Sequence, residues 1–106
     1  MSEVFRLFVR FTLKPGHEEA FDQLVRQMLA SVRDHEPGTL IYTCHTVEDR
    51  PAQRVFYELY LDRTAFEAHE EQLHVRQFLA QREHHVHGVE VDVVALFDGK
   101  GVPVSG

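Results

Sequence analysis

The chain has 106 residues, a formal net charge of -6 and a pI near 5.7. That length suits one domain with a modest core, so pairing of two copies is a natural source of further burial. An acidic chain predicts neither nucleic acid nor an anionic membrane as a partner, because both bind basic surfaces. The single cysteine, Cys44, cannot form an intrachain disulfide, and the alternating N-terminal segment is unlike a signal peptide. We therefore predict a cytoplasmic protein.

The first two elements are predicted by their periodicity. Residues 4–13 alternate apolar and polar side chains, which indicates a strand with one buried face and a second, partly apolar face. Pro15 and Gly16 end this strand. Residues 17–33 carry apolar side chains at helical spacing and predict an amphipathic helix.

The middle of the chain predicts two strands and a capped helix. Residues 39–47 form the second strand, residues 48–52 a loop, and residues 55–61 a third strand rich in aromatic and apolar side chains. Asp62 can cap the helix that follows, because its carboxylate can accept hydrogen bonds from the first-turn N–H groups. We expect that helix to bend near Gln72.

A second helical piece follows the bend, and Gly88 is predicted to end it. A last strand over residues 89–97 completes the order βαββαβ within one domain, residues 1–98, and residues 99–106 are predicted to be a flexible C-terminal tail. This order is the ferredoxin-like α+β arrangement of one antiparallel sheet with helices on one face. We expect the uncovered sheet face to pair with a second copy in a homodimer, since it would otherwise expose a large apolar patch.

Candidate chemistry lies on the third strand and the helix after it. On the third strand, Glu58 shares one face with the aromatic side chains of Phe56 and Tyr60. On the helix, His69 lies on the apolar face. We expect these faces to meet, so that a carboxylate and an imidazole share an apolar cavity. The residues predicted to line it and bind substrate are aromatic or apolar: Tyr42, Phe56, Tyr60, Phe66 and Leu73.

Two interpretations of this pair stay open. In the functional one, His69 is a general base that burial keeps neutral near pH 7, and Glu58 orients it or receives its proton. In the structural one, His69 is a core histidine bonded to a backbone carbonyl. Glu58 then pairs with a strand arginine such as Arg6 or Arg10, or lies at a strand end that reaches solvent. Aromatic and apolar residues such as these predicted lining residues are more often simply core residues.

The remaining histidines do not predict a metal site. His84, His85 and His87 are clustered, but they lack the spacing that aligns two ligands on one helical turn, and no paired cysteines accompany them. A solvated helix end is the simpler interpretation. No Gly-rich phosphate loop is present, so we predict no nucleotide or other cofactor.

Three short motifs resemble the antibiotic biosynthesis monooxygenase family of small dimeric α+β barrels. They are Leu13-Lys14-Pro15-Gly16 with Phe21, Glu36-Pro37-Gly38-Thr39-Leu40 with Tyr42, and Glu58-Leu59-Tyr60 followed by Asp62, Phe66 and His69. The resemblance implies a pocket between the sheet and helices of each subunit. It also implies a homodimer in which two sheets pack face to face.

Members of the resembled family include cofactor-independent oxygenases of quinols and polyphenols, haem-degrading enzymes, and an isomerase of a signalling sugar. The polyketide oxygenases and haem degraders rely on Asn and Trp, and this chain contains neither. A His/Glu/Tyr pocket remains, which suits proton abstraction from a phenol or enol. We predict a cofactor-independent monooxygenase of a small quinol or phenol, with an enol-forming isomerase or a non-catalytic small-molecule-binding barrel as alternatives.

Overall fold

The computed structural model describes residues 3–101 and confirms the predicted element order, with the second helical segment divided in two. The elements are β1 (Phe5–Leu13), α1 (Glu18–His35), β2 (Thr39–Val47), β3 (Arg50–Tyr60), α2 (Arg63–Glu71), α3 (Leu73–Arg82) and β4 (Val86–Val94). The four strands form one antiparallel sheet in the order β2-β3-β1-β4. This is the ferredoxin-like α+β fold. No helix among the described residues is long and apolar enough to cross a membrane.

The core lies between one face of the sheet and the three helices. Every second residue of β1 points into it and is buried: Phe5, Leu7, Val9, Phe11 and Leu13. Phe56 of β3 contacts Phe21 of α1 and Phe78 of α3, with ring centroids 6.4 and 6.3 Å apart. Strand alternation thus selects the buried face, and aromatic side chains join the helices to it.

The predicted loop at residues 48–52 is wrong, because β3 already begins at Arg50. A tight turn at Glu48 and Asp49 joins β2 to β3, and Asp49 adopts a φ of 65°. The start of β3 is polar in sequence, which disguises it as a loop. In the fold, a polar side chain of this segment has its hydrogen-bond partner on α1: the Arg54 guanidinium donates to both carboxylate oxygens of Asp22, at 2.9 and 3.0 Å.

The last strand also differs from its prediction. It covers Val86–Val94 rather than residues 89–97, and Gly88 lies inside it instead of ending a helix. Pairing explains the shift: Gly88 lies opposite Thr12 of β1, and the Lys14 backbone N–H donates to the carbonyl oxygen of the residue before β4, at 2.9 Å. Most of the predicted flexible tail, residues 102–106, lies outside the described residues.

The predicted bend near Gln72 is confirmed. Gln72 has extended backbone, with φ -65° and ψ 140°, and separates α2 from α3. Leu73 therefore begins α3 instead of continuing the face of α2, and it is 69% exposed. The prediction that Leu73 shares an apolar face with Phe66 and His69 is wrong, because the bend redirects the helix after His69.

Gly38 sets the distance between the start of β2 and α2. A Cβ placed on Gly38 would lie 2.8 Å from the Cβ of Ala65, closer than real Cβ contacts come. The Leu61 N–H donates to the Gly38 carbonyl oxygen at 2.9 Å, which holds the two segments together. A glycine is required here by close packing.

Replacing Gly38 with alanine should lower the free energy of unfolding by about 1–3 kcal/mol, since α2 must move away from β2. Urea denaturation measures the change. Gly88→Ala is the matched control, because no atom lies within 4 Å of a Cβ built there. Equal stability of the two variants would show that the Gly38 contact relaxes without cost.

Candidate functional site

A cavity of about 190 Å³ lies between the sheet and the helices α2 and α3. That volume is on the scale of a single aromatic ring, as an engineered 150 Å³ apolar cavity binds benzene. Apolar side chains form most of its walls. Its polar and ionisable groups are Tyr42, Glu58, His69, Glu70 and Arg82.

His69 reaches this cavity from the last turn of α2 and is 3% exposed. Its Nδ1 lies 2.6 Å from Oε1 of Glu36, the residue that caps the C-terminus of α1. An ionised carboxylate can only accept hydrogen bonds, so Nδ1 donates a hydrogen bond to it, and Nε2 is the nitrogen with the lone pair when the ring is neutral. A buried histidine in a pocket that also contains Glu58 is confirmed, but the carboxylate that orients it is Glu36.

Glu36 is itself buried and accepts three hydrogen bonds. Thr39 Oγ1 donates to Oε1 at 2.7 Å, and His74 Nε2 lies 2.5 Å from Oε2. Burial raises the pKa of Glu36, but the hydrogen bonds from Thr39, His69 and His74 outweigh it and leave the pKa below its usual value. Glu36 therefore stays ionised and fixes both imidazoles as donors toward it.

Sequence reasoning missed Glu36 and His74 as members of the site. Glu36 precedes Pro37 and Gly38, so it resembles an ordinary helix end, and 33 positions separate it from His69. Only the break at Gln72 allows His69 and His74 to reach the same carboxylate from two helices. A histidine on each side of a predicted helix break is the one signal that could have pointed to them.

Glu58 forms a separate pair with Tyr60 on the same strand face. The Tyr60 hydroxyl donates to Glu58 Oε1 at 2.5 Å, and both side chains are buried. Burial raises the pKa of Glu58 to about 7, so the carboxyl can take or give a proton near neutral pH. Glu58 does not pair with Arg6 or Arg10, which point to the opposite sheet face, where Arg10 donates to Gln53.

Aromatic rings surround His69. The rings of Tyr42 and Tyr60 lie 5.1 and 5.2 Å from its imidazole, and Phe66 packs edge-on against Tyr60 at 5.3 Å. Of the predicted lining residues, Tyr42 and Phe66 line the cavity, whereas Phe56, Tyr60 and Leu73 do not. Phe56 and Tyr60 are fully buried, and Leu73 is exposed to solvent. Burial raises the pKa of Tyr42 well above its usual value, so its hydroxyl remains protonated.

Arg82 of α3 supplies a cation at the cavity, and the sequence did not predict it as a residue of the site. Its guanidinium lies 5.2 Å from the centre of the Phe11 ring, a cation–π arrangement. Burial lowers the pKa of Arg82 from its high ordinary value, although a guanidinium stays charged in proteins. A positive charge therefore faces the same space as His69 and Glu58.

The clustered histidines near the start of β4 do not form a metal-binding site among the residues that the structure describes. His85 Nδ1 lies 2.8 Å from Nδ1 of His17 at the start of α1, and His84 is exposed. Within residues 3–101, no group of three or more His, Cys, Asp or Glu side chains is placed to hold a metal ion.

The fold and the cavity define a class of protein: a ferredoxin-like α+β domain with an ionisable site between its sheet and helices. The sequence model of the antibiotic biosynthesis monooxygenase family matches residues 4–81. The chain therefore belongs to that family. A comparison with curated proteins found no match.

Solved structures with the same fold come from several bacteria. A Pseudomonas aeruginosa protein is 28% identical, with a TM-score of 0.84 over 92% of this chain and 98% of the other. A Mycobacterium tuberculosis protein is 25% identical, with a TM-score of 0.83 over 92% and 99%. A protein from Bacteroides thetaiotaomicron, named for the same family, is 17% identical, with a TM-score of 0.87 over 97% of both chains, and this likeness shows the fold alone.

Glu58 should make the stability of the protein fall as pH rises from about 4.5 to about 7. In this window the folded carboxyl keeps a proton that the unfolded one has lost, because its folded pKa is raised from 4.5 to about 7. Glu58→Gln removes this dependence and keeps an acceptor for Tyr60. Its stability relative to wild type should therefore rise through the window, by on the order of 3 kcal/mol.

Urea denaturation of both proteins at pH 5 and pH 8 measures this difference. Glu71→Gln, which changes an exposed carboxyl at the end of α2, is the control. A wild-type advantage over Glu58→Gln that grows with pH would contradict the raised pKa.

Proposed function

We propose that this protein is a cofactor-independent monooxygenase that oxidises a small quinol or phenol of one aromatic ring with O2. The observation that carries the proposal is the His69 imidazole, which borders an aromatic cavity while Glu36 holds its other nitrogen. Family membership supports a monooxygenase, and the geometry of the cavity supports the substrate class.

His69 is the general base of this proposal. Its Nε2 takes the hydroxyl proton of the substrate, and the ionised Glu36 stabilises the imidazolium that forms. The phenolate that results carries a negative charge in a largely apolar space. The Arg82 guanidinium is the cation that stabilises it there.

Oxygen then reacts with the phenolate without an added reductant. The phenolate passes one electron to O2, and the resulting superoxide and semiquinone combine at a ring carbon to form a peroxide. The peroxide takes back a proton to become a hydroperoxide. The same ring carbon then loses its hydrogen as a proton while the O–O bond breaks, so hydroxide leaves as water and a carbonyl forms. A hydroquinone and O2 thus give a hydroxyquinone and water, with all four electrons supplied by the substrate.

Glu58 holds or relays the proton in this sequence. Its pKa of about 7 allows it to be protonated when the peroxide forms and ionised afterwards. The Tyr60 hydrogen bond fixes its position. Tyr42 and Phe66 are the aromatic surfaces against which the substrate ring packs.

Replacing His69 with glutamine should lower the rate of oxygen uptake on a panel of simple hydroquinones by about a hundred-fold or more. Glutamine can donate a hydrogen bond to Glu36 but cannot take the substrate proton. An oxygen electrode measures the rate in air with no cofactor added. His84→Gln, which changes an exposed histidine that does not line the cavity, should retain wild-type activity.

The other outcomes separate the alternatives. Equal rates for wild type and His69→Gln would show that His69 is not the base. A product of unchanged mass, formed without oxygen uptake, would establish an enol-forming isomerase. Tight binding without turnover would establish a binding protein.

We also propose that two copies pair through the sheet face that the helices leave uncovered. Phe8 on this face is 43% exposed and packs on Tyr57 at 5.1 Å, which leaves an apolar centre open to solvent. Arg10 of β1 lies opposite Glu90 of β4 on the same face, so charges of both signs surround that centre. Such a self-complementary surface suits a two-fold interface.

Phe8→Glu should convert the dimer to a monomer, because it places a charge at the centre of the interface. Sedimentation at micromolar concentration measures the mass of both proteins. Leu73→Glu changes an exposed leucine on α3 and should leave the dimer intact. A wild-type protein that sediments as a monomer would refute the dimer.

A further inference from the structure

The Glu36 carboxylate joins two imidazoles that face different spaces. Oε1 accepts from His69, which borders the cavity, and Oε2 accepts from His74, which lines a groove of about 270 Å³ between α1 and α3. The side chains of His69 and His74 are 2% and 14% exposed. The proposed base is thus connected to a second surface of the molecule through a single carboxylate.

His74 is placed to exchange protons with solvent in that groove. Its Nε2 is engaged by Glu36, so exchange takes place at Nδ1. The other residues that line the groove are uncharged: Leu24, Gln27, Met28, Ser31, Gln77, Phe78 and Gln81. Among these residues, His74 alone can bind or release a proton near neutral pH.

The charges of the two rings compete because they share one anion. When either imidazole is protonated, its positive charge is balanced by Glu36. A second proton on the other ring leaves two positive charges against one negative charge in a largely buried cluster, which is unfavourable. The two rings therefore titrate as a coupled pair.

We propose that His74 is a positioning residue that releases a proton to the groove when His69 takes one from the substrate. This inference rests on the proposed function of His69 as the base. In the starting state of this proposal, His74 is the protonated, cationic ring and His69 is neutral. One proton passes from the substrate hydroxyl to His69 Nε2, and one leaves His74 Nδ1 for solvent, so His74 becomes neutral as His69 becomes cationic. The net charge around Glu36 is unchanged, and both transfers reverse when His69 gives its proton back.

Other titratable groups near the pair come from every element packed against it. His35 of α1 lies 6.4 Å from His74, ring to ring, and Tyr42 and Tyr60 pack on His69. Glu58, Glu70 and the charged guanidinium of Arg82 face the same cavity as His69. Burial raises the pKa of both tyrosines, so they stay neutral. The glutamates and His35 do not bridge the two rings, whereas Glu36 does.

Nuclear magnetic resonance of the histidine rings tests the coupling in the absence of substrate. The protonated fraction of His69 is measured against pH in wild type and His74→Gln, and that of His74 in wild type and His69→Gln. Glutamine retains an N–H donor for Glu36, so the hydrogen bonds survive. Gln77→Ala, in the same groove, is the control.

Each substitution should increase the proton affinity of the remaining histidine by a factor of about five or more. The two factors should be equal, because linkage between two binding sites is reciprocal. In wild type, each ring should also titrate over a wider pH range than a single independent site, which requires no variant. A merely structural role for His74 would give unequal factors and titration curves of ordinary width.

Independent titration of the two rings, or equal effects of His74→Gln and Gln77→Ala, would overturn the inference. These outcomes are separate from failure of the proposed reaction. If the rings are coupled but the protein oxidises no quinol, the coupling is supported and the proposed monooxygenase activity is refuted. If the protein oxidises quinols but the rings are uncoupled, the activity is supported and the coupling is refuted.

Discussion

The site depends on one buried carboxylate. Glu36 ends α1, and through His69 and His74 it contacts the last turn of α2 and the first turn of α3. A buried anion without partners would be strongly unfavourable, so α2 and α3 must bring their imidazole donors to the carboxylate at the end of α1. These hydrogen bonds constrain where α2 and α3 lie above the sheet, and the cavity lies between the sheet and those two helices.

Much of the fold could be predicted from local pattern. The alternation in β1, the cap at Asp62 and the break at Gln72 each depend on nearby residues, and the structure has all three. The start of β3 could not be predicted in this way, because Arg54 is satisfied by Asp22, which is 32 residues distant in sequence. Polar residues look like a loop until their partners are known.

In the candidate site, too, the features that depend on local pattern could be predicted, and those that depend on distant partners could not. Glu58 and His69 could be predicted because each falls on an otherwise apolar face, where an ionisable side chain is conspicuous. Their hydrogen-bond partners could not be predicted, because hydrogen bonds between different helices and strands leave no periodic pattern in the sequence. Glu58 binds Tyr60 and His69 binds Glu36, so the expected single pair is two adjacent pairs.

The break at Gln72 also determines whether His69 and His74 can both contact the Glu36 carboxylate. In a continuous α-helix, side chains five residues apart would point about 140° away from each other, at 100° per residue. His69 and His74 on such a helix could not both contact the two oxygens of Glu36. The interruption between α2 and α3 therefore sets the direction of the His74 side chain relative to that of His69. Inserting or deleting one residue there would change the direction of His74 without altering any residue of the site.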